Sequence, residues 1–485
     1  MLIHKTIKNT SLYLLQIAIS GILMLIMLPI ISQNLPSSEF GQFILAQVYT
    51  AIAVGVANFG MLISYERNFF IFEKSSKNSA KLISSAVIFV TFNLTVLLVV
   101  VYLFQSDISD LILSSSAHNN MLIIVLIGTI ASSLSQYYLT FLKNSGLAKS
   151  YVRYMITNSV INFTVAIIFI TQSNFGSMSL AYAWVVSNSI LFILLFLTLG
   201  RKLSASFDSG MLKEMLKISL PLTPRVFFGF MNTQLDKILL GFIGSSSLVG
   251  IYYMGQNFAM IIFQFMTGLD KVFQPTVYRK LFANSHIKNP NEINNFILPF
   301  FYISIFVALI VVIFSREFIS LFLSNEYQEA TPVIIILSIY YASLFFQKIT
   351  GIQLIYAKKT HVITLLMFVG ITINVLLNIP FIMRWGIVGA AWATSISGVI
   401  VTIAFYLTAQ RHVRILWQWK PVFSIYGIFL VATIFSIIDY SFPLNLEVSL
   451  MIKVLIILIY IKLGHILSFF SLSEIKRLIY IKNKF

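Results

Sequence analysis

Cysteine is missing from all 485 residues, which excludes disulfides, thiolate metal ligands and a cysteine nucleophile. Charge is scarce as well: Asp, Glu, Lys and Arg make up 10% of the chain, against 58% hydrophobic residues. Soluble domains of ordinary size cannot hide that much apolar side chain, so lipid must cover most of it. The six histidines, His4, His118, His286, His361, His412 and His465, lie mostly at loops or span ends without metal-ligand spacing. No glycine loop suited to cradling a phosphate occurs. No metal, cofactor or ATP site is therefore expected, and no catalytic residues are assigned.

What the chain does contain is long apolar runs. A helix needs roughly 20 mostly apolar residues to cross the bilayer, and fourteen such runs are predicted, near 11–32, 41–64, 82–104, 121–142, 151–171, 178–199, 219–243, 250–274, 297–315, 331–356, 361–383, 387–409, 420–438 and 446–470. Lys5 and Lys8 before the first run resemble a signal peptide, but no small-residue cleavage site follows, so that run is expected to stay as the first helix. The two tails and every second loop hold 25 of the 33 Lys and Arg residues, whereas the opposite loops hold Arg316 and Arg384. The positive-inside rule then places both termini in the cytoplasm. A formal charge of +17 spread over many short loops fits topology and excludes a nucleic-acid patch. The opposite loops carry Glu39, Asp107, Asp110, Glu317, Glu326, Glu329, Asp439 and Glu447, and they are too short to hold an external catalytic domain.

The chain repeats itself. Residues 37–47 (SSEFGQFILAQ) align with 246–256 (SSLVGIYYMGQ) at an offset of 209, pairing Gly41 with Gly250 and Gln47 with Gln256. Ala148 and Lys149 meet Ala357 and Lys358 at the same offset, and Gly176, Ala181 and Ala183 meet Gly386, Ala391 and Ala393 at 210. An even number of helices separates the copies, so both halves run the same way about an axis along the membrane normal. The expected architecture is all-α: an N-lobe of six helices over 1–205, a C-lobe of six over 206–415, and two further helices with a tail over 416–485. Residues 204–219 link the lobes, either as a helix lying in the interface or as a polar connector.

A charged side chain at mid-bilayer costs about 2.5 to 3.5 kcal/mol, so it faces a partner or a wet cavity. The first half has none away from helix ends; the second has Arg225, Asp236, Lys237, Asp270, Lys271 and Lys348. At 100° per residue, Pro221, Arg225, Gly229, Asn232 and Asp236 share one face of the seventh helix. Gln256, Phe263, Thr267, Asp270 and Gln274 share one face of the eighth, and Gln47, Asn58 and Tyr65 one face of the second. These stripes are expected to line a cleft between lobes. Arg225 and Asp270 fall at similar depth and can pair. Lys237 is near a helix end, where snorkelling alone explains it, and Lys348 can reach the interface too. Pro221, Pro224 and Pro29 each remove a backbone hydrogen bond and are candidate hinges.

Four segments carry a resemblance: LPSSEFGQF after the first helix, NFGMLISYER ending at Arg67, LDKILLGFIGSSSLVGIYYMGQ with Asp236 and Gly250, and NVLLNIPFIMRWGIVGAAWAT over 374–394. Together the chain resembles the polysaccharide transporter branch of the multidrug/oligosaccharidyl-lipid/polysaccharide exporter superfamily, the Wzx-type O-antigen flippases. The resemblance implies a V-shaped, alternating-access carrier in the bacterial inner membrane. Its substrate would be undecaprenyl-diphosphate-linked glycan, as in lipopolysaccharide synthesis, moved to the periplasmic leaflet. Proton or sodium would drive it, and glycan polymerase machinery would be a partner. On that reading the diphosphate and glycan meet Arg225, Lys348, Asn232, Gln47, Asn58, Gln256 and Thr267, with Asp236 and Asp270 as counter-ion or coupling groups. Arg225 either receives the diphosphate, which its planar fork suits, or locks helices through Asp270. A cation-coupled drug exporter of the same superfamily is the alternative, disfavoured by deep positive charge. A membrane glycan polymerase or acyltransferase is a further one, disfavoured by the short loops.

Overall fold

The computed structural model describes residues 2–72, 75–113, 119–172, 175–203, 207–283 and 291–467. It is helical, without strand among those residues. Eleven of the described helices are long and apolar enough to cross a membrane. The chain separates into two compact units, Met1–Tyr253 and Met254–Phe485.

The first unit contains α1 (Leu2–Asn34), α2 (Ser37–Ala57), α3 (Met61–Phe72), α4 (Ser76–Leu103), α5 (Gln105–Leu113), α6 (Asn119–Asn144), α7 (Ala148–Gln172), α8 (Met178–Leu195), α9 (Arg201–Leu203) and α10 (Ser209–Ile243). It ends in the first two turns of α11 (Ser246–Ala283). Helix α8 packs on α6 and α7, α1 on α7, and α10 on α2 and α3. The outer face of α4 turns Phe92, Val96, Val99 and Leu103 outward, as a lipid-facing stripe must.

The predicted second span is not one helix. Asn58 caps α2, Phe59 and Gly60 take the left-handed conformation at φ 48° and 63°, and α3 starts at Met61. The apolar run hid the break, because glycine inside such a run reads as helix until its φ is known. The connector also differs: α10 is continuous from Ser209, so residues 209–219 are its first turns and not a separate interfacial helix. Those turns pack on α3, with Met215 fully buried and its carbonyl accepting from Ser64 Oγ at 2.9 Å. Asp208 caps the helix, accepting from the Met211 N–H at 3.1 Å and pairing with Lys81 at 3.4 Å. That N–H, with Lys81, holds its carboxyl below the usual range.

The repeat has a physical counterpart inside this unit. Where α2 and α11 start, Ser37 Oγ lies 2.5 Å from Ser247 Oγ. A Cβ on Gly41 would run into the Ser246 carbonyl, and one on Gly250 into the Ser37 carbonyl. The two segments thus cross backbone to backbone, each supplying the glycine that the other requires.

The second unit holds the rest of α11, then α12 (Asn291–Ile313), α13 (Ser315–Phe322), α14 (Ala330–Tyr356), α15 (Thr360–His412), α16 (Trp419–Ser441) and α17 (Leu446–Ile466). Helix α15 covers two predicted spans. Gly386, at φ 56°, breaks it, and Asn374 bonds Ser397 at 3.0 Å between the two arms. Its repeat partner Gly176 has φ 54°, so the sequence match at 210 joins two equivalent turns. The middle match does not. Ala148 opens α7 whereas Ala357 caps α14, and the left-handed residues of the two turns, Gly146 and Lys358, are 212 apart.

Helices α16 and α17 are fastened to α12 and α13 at two levels. Tyr302 and Tyr460 stack at 4.6 Å, each hydroxyl donating to the other's carbonyl at 3.0 and 2.7 Å. Higher up, Arg316 bonds Asp439 at 3.2 Å, while Lys453 pairs with Glu317 and sits 3.4 Å from Asp439. Asp439, expected in a loop, is 1% exposed in the last turn of α16. Burial is tolerable there because Ser449 and two cations complete its shell.

Candidate functional site

In the second unit, three predicted residues meet. Lys348 Nζ, on α14, is 3.4 Å from Asp270 Oδ2 and 3.4 Å from Thr267 Oγ1, both on α11. It also lies 5.3 Å from the Phe263 ring centroid. Thr267 spends its own proton on the Phe263 carbonyl at 2.8 Å, so its lone pair faces the ammonium. The Lys348 and Asp270 side chains are each 21% exposed, and among the described residues Asp270 Oδ1 has no hydrogen-bond partner. Lys348 therefore does not extend away to an interface; it is held beside a carboxylate with coordination to spare. Gln256 is half-buried further along the same helix.

Within the first unit, Asp236 and Lys237 form a buried pair of sequence neighbours, 6% and 2% exposed. Asp236 Oδ1 accepts from the Lys237 amide at 2.9 Å and its ammonium at 3.4 Å, and Oδ2 accepts from Tyr252 at 2.5 Å. Lys237 also lies 5.9 Å from the Tyr253 ring. Snorkelling is thus corrected: the lysine folds back onto its neighbour, where a counter-charge and an aromatic face replace water. Arg225 and Asn232 lie on α10 between its prolines and this pair, but their side chains are outside those described. Pro221 and Pro224 stand within α10 and Pro29 within α1, and both helices continue past them.

A cavity of about 390 Å³ opens between α1, α2, α7 and α8. Gln47 lines it, as do Ser20, Asn158, Asn162 and Trp184. Ser20 bonds Ser159 at 2.8 Å, Asn162 donates to Ser187 at 3.0 Å, and Asn158 Oδ1 is buried with no hydrogen-bond partner among the described residues. This wall is neutral, aromatic and hydroxylic, a lining suited to sugar hydroxyls. The sequence reading missed Asn158 and Asn162. Their four-residue spacing inside an apolar span was the available signal.

Asn58 is placed differently from Gln47. Its Nδ2 donates to Ser133 at 2.5 Å and its Oδ1 accepts from Tyr137 at 2.6 Å, so both ends of the amide are engaged inside the unit. Tyr65, beyond the break, is fully buried against Tyr137 at 5.7 Å. The second-helix stripe therefore ends at the break. A further polar group, also unassigned from sequence, sits between the arms of α15. Asn374 reaches Thr394 and Ser397 at 3.3 and 3.0 Å, and Asn378 donates to Asn374 at 2.9 Å.

Comparison with known proteins bears on this geometry. Residues 30–332 match the model of a family described as "Polysaccharide biosynthesis protein". The chain is 24% identical over 194 residues to the "Probable low-salt glycan biosynthesis flippase Agl15" of Haloferax volcanii, covering 40% of this chain and 41% of that protein. It is also 24% identical over 265 residues to the "Capsular polysaccharide biosynthesis protein CapF" of Staphylococcus aureus, covering 53% and 63%. The matches thus span less than two thirds of either relative. Among solved structures, "Lipid II flippase MurJ, inward closed conformation" superposes over 94% of this chain and 98% of that one, with TM-score 0.69 and 18% identity. An inward-facing multidrug resistance MATE family transporter of the MOP superfamily superposes over 82% and 94%, with TM-score 0.64 and 14% identity. At such identities the likeness establishes the fold.

Proposed function

The chain belongs to the polysaccharide biosynthesis protein family, and on that premise we propose that it carries lipid-linked oligosaccharide units across the membrane by alternating access. It is a multi-pass membrane protein of the MOP fold. On our reading it sits in a bacterial inner membrane with both termini cytoplasmic. The substrate is an undecaprenyl-diphosphate-linked glycan, moved from the cytoplasmic to the periplasmic leaflet, with no chemical step on the glycan itself. The bodies that rock are the lobes 1–205 and 206–415, with Pro221, Pro224 and Pro29 as hinges, and a proton or sodium gradient supplies the drive.

The observation that carries this reading is Lys348 beside Asp270, two partly exposed charges 3.4 Å apart on neighbouring helices. Such a pair is worth holding where an anion will arrive: the diphosphate replaces the carboxylate at the ammonium, and Asp270 is released to take a proton or cation. Arg225 is the second cation proposed for the diphosphate. The neutral cavity lined by Gln47, Asn158 and Asn162 suits the uncharged sugars. Asn232, Gln256 and Thr267 are proposed as further polar contacts, with Asp236 in the coupling role.

The test is Lys348→Ala in a host strain lacking its own carrier for the matching glycan. Surface glycan should fall at least about tenfold while the protein remains in the membrane, since loss of a charge-assisted contact of about 1.5 to 3 kcal/mol is at least that large. Normal surface glycan would remove Lys348 from the mechanism. The rival, drug export, shares the fold with the MATE transporter. It predicts that the same variant changes drug resistance and leaves glycan untouched.

A further inference from the structure

A second cavity, of about 280 Å³, lies in the second unit between α14, α15 and α16. Phe346, Val399, Tyr406, Trp419, Phe423 and Tyr426 shape it. Three of its hydroxyls are engaged within the protein: Ser343 donates to the Tyr340 carbonyl at 2.7 Å, Thr402 lies 3.3 Å from Ser343, and Tyr426 donates to the Ala342 carbonyl at 3.0 Å. The other polar side chains of the wall are Tyr406 and Trp419, so it holds no charge for an ion and few groups for a sugar. The groove also opens sideways, since the lining residues Ile403 and Phe423 are 52% and 66% exposed. Such a slot suits a hydrocarbon chain.

One end of the groove is basic. Trp419 closes that end, stacked on Phe423 at 5.3 Å and edge-on to Tyr406 at 5.3 Å. Lys420 follows it directly, Arg411 lies in the last turn of α15 and Arg414 on the short link to α16, all three exposed. Arg414 is close enough to the Tyr406 hydroxyl to act on it electrostatically. Between Glu329 and Asp439 the chain has no acidic residue, so the parts of α14, α15 and α16 that line the groove carry no negative charge.

We propose that this groove is a binding site for an anionic phospholipid of the bilayer, one acyl chain in the aromatic slot and the phosphate held by Arg411, Arg414 and Lys420. Basic pockets between membrane helices recognise lipid headgroups in this way. An aromatic belt residue at the mouth, Trp419, sets the depth of the headgroup. The site is separate from the transport residues, because neither Lys348 nor Asp270 lines it.

The purified full chain, reconstituted with phospholipids brominated on the acyl chain, tests this through Trp419 fluorescence. The Trp419-dependent signal is the difference between the wild type and Trp419→Phe. Brominated phosphatidylglycerol should quench it at a several-fold lower mole fraction than brominated phosphatidylcholine. Neutralising Arg411, Arg414 and Lys420 to Gln should erode that preference, by up to about fivefold for a single cation, and the triple variant should show none. Thr402→Phe, which fills the slot, should reduce quenching by both lipids while circular dichroism stays unchanged. Equal quenching by the two lipids in the wild type would overturn the proposal, as would a preference that survives the triple variant. Displacement of phosphatidylglycerol by stoichiometric polyprenyl phosphate would reassign the groove to the carrier lipid, and displacement by millimolar inorganic phosphate would reduce it to a surface anion site; either result overturns it.

Discussion

Asp236 and Lys237 illustrate why buried charge in this chain comes in sets. With both side chains almost fully covered, each depends on the other as counter-charge, and Tyr252 adds a bond to Asp236 and the Thr233 carbonyl one to Lys237. Asp236→Asn should therefore destabilise the protein by roughly 3 to 5 kcal/mol, the usual result of stranding one partner of a buried pair. Asp236→Asn combined with Lys237→Met should recover much of it, in thermal unfolding in detergent. A double variant no more stable than the single one would contradict the pairing. Residue identity made these charges visible in the sequence, because charged letters in apolar runs stand out. Their partners were not visible: Asp270 meets Lys348 from another helix, and the folding-back of Lys237 depends on a rotamer. Asn58 was chosen for its polarity, yet its amide is consumed by Ser133 and Tyr137, which only packing decides.

At the scale of the element, helix starts and crossings carry the information. The crossing of α2 and α11 leaves no room for a Cβ at Gly41 or Gly250. Gly250→Val should abolish the folded protein or its transport, whereas Gly427→Ala, at a helical glycine with open space beside it, should be neutral in membrane yield. Equal yields and transport for both would show that the crossing is not tight. The cap at Asp208 makes a pH prediction. Its carboxyl is held below the usual range by the Met211 N–H and Lys81. The stability it contributes is thus full above the unfolded value of about 3.9 and lost as pH falls through the lower folded value. Asp208→Asn keeps a capping oxygen but removes the charge, so the melting-temperature gap between wild type and variant should close as pH drops below about 4. A gap independent of pH would contradict the cap's ionisation. Eleven of the described helices are long and apolar enough to cross a membrane, and α15 covers two predicted spans, since apolar length is written directly in composition. The break at Phe59 and Gly60 was not legible, because a left-handed pair leaves no mark in hydropathy. Gly176 and Gly386 were found as a match, but the turns at Gly146 and Lys358 were paired three residues out of register, because a change of loop length is silent in short alignments.

Over the whole molecule, duplication explains why one crossing is self-complementary, with Ser37 and Ser247 face to face. In the proposed cycle that crossing belongs to both lobes and must part for the outward-open state. The absence of cysteine makes it testable without background. Ser37→Cys with Ser247→Cys, whose parent oxygens are 2.5 Å apart, should form a disulfide on oxidation. Proteoliposomes carrying a polyprenyl-diphosphate-linked oligosaccharide with a fluorescent sugar then give the most direct measurement, the fraction of label reached by an external quencher over time. The account predicts that the reduced double-cysteine protein equilibrates label between leaflets, that oxidation stops it, and that reductant restores it. Label that stays in its starting leaflet with the reduced protein, as in empty liposomes, or that crosses equally fast when the crossing is locked, would contradict it.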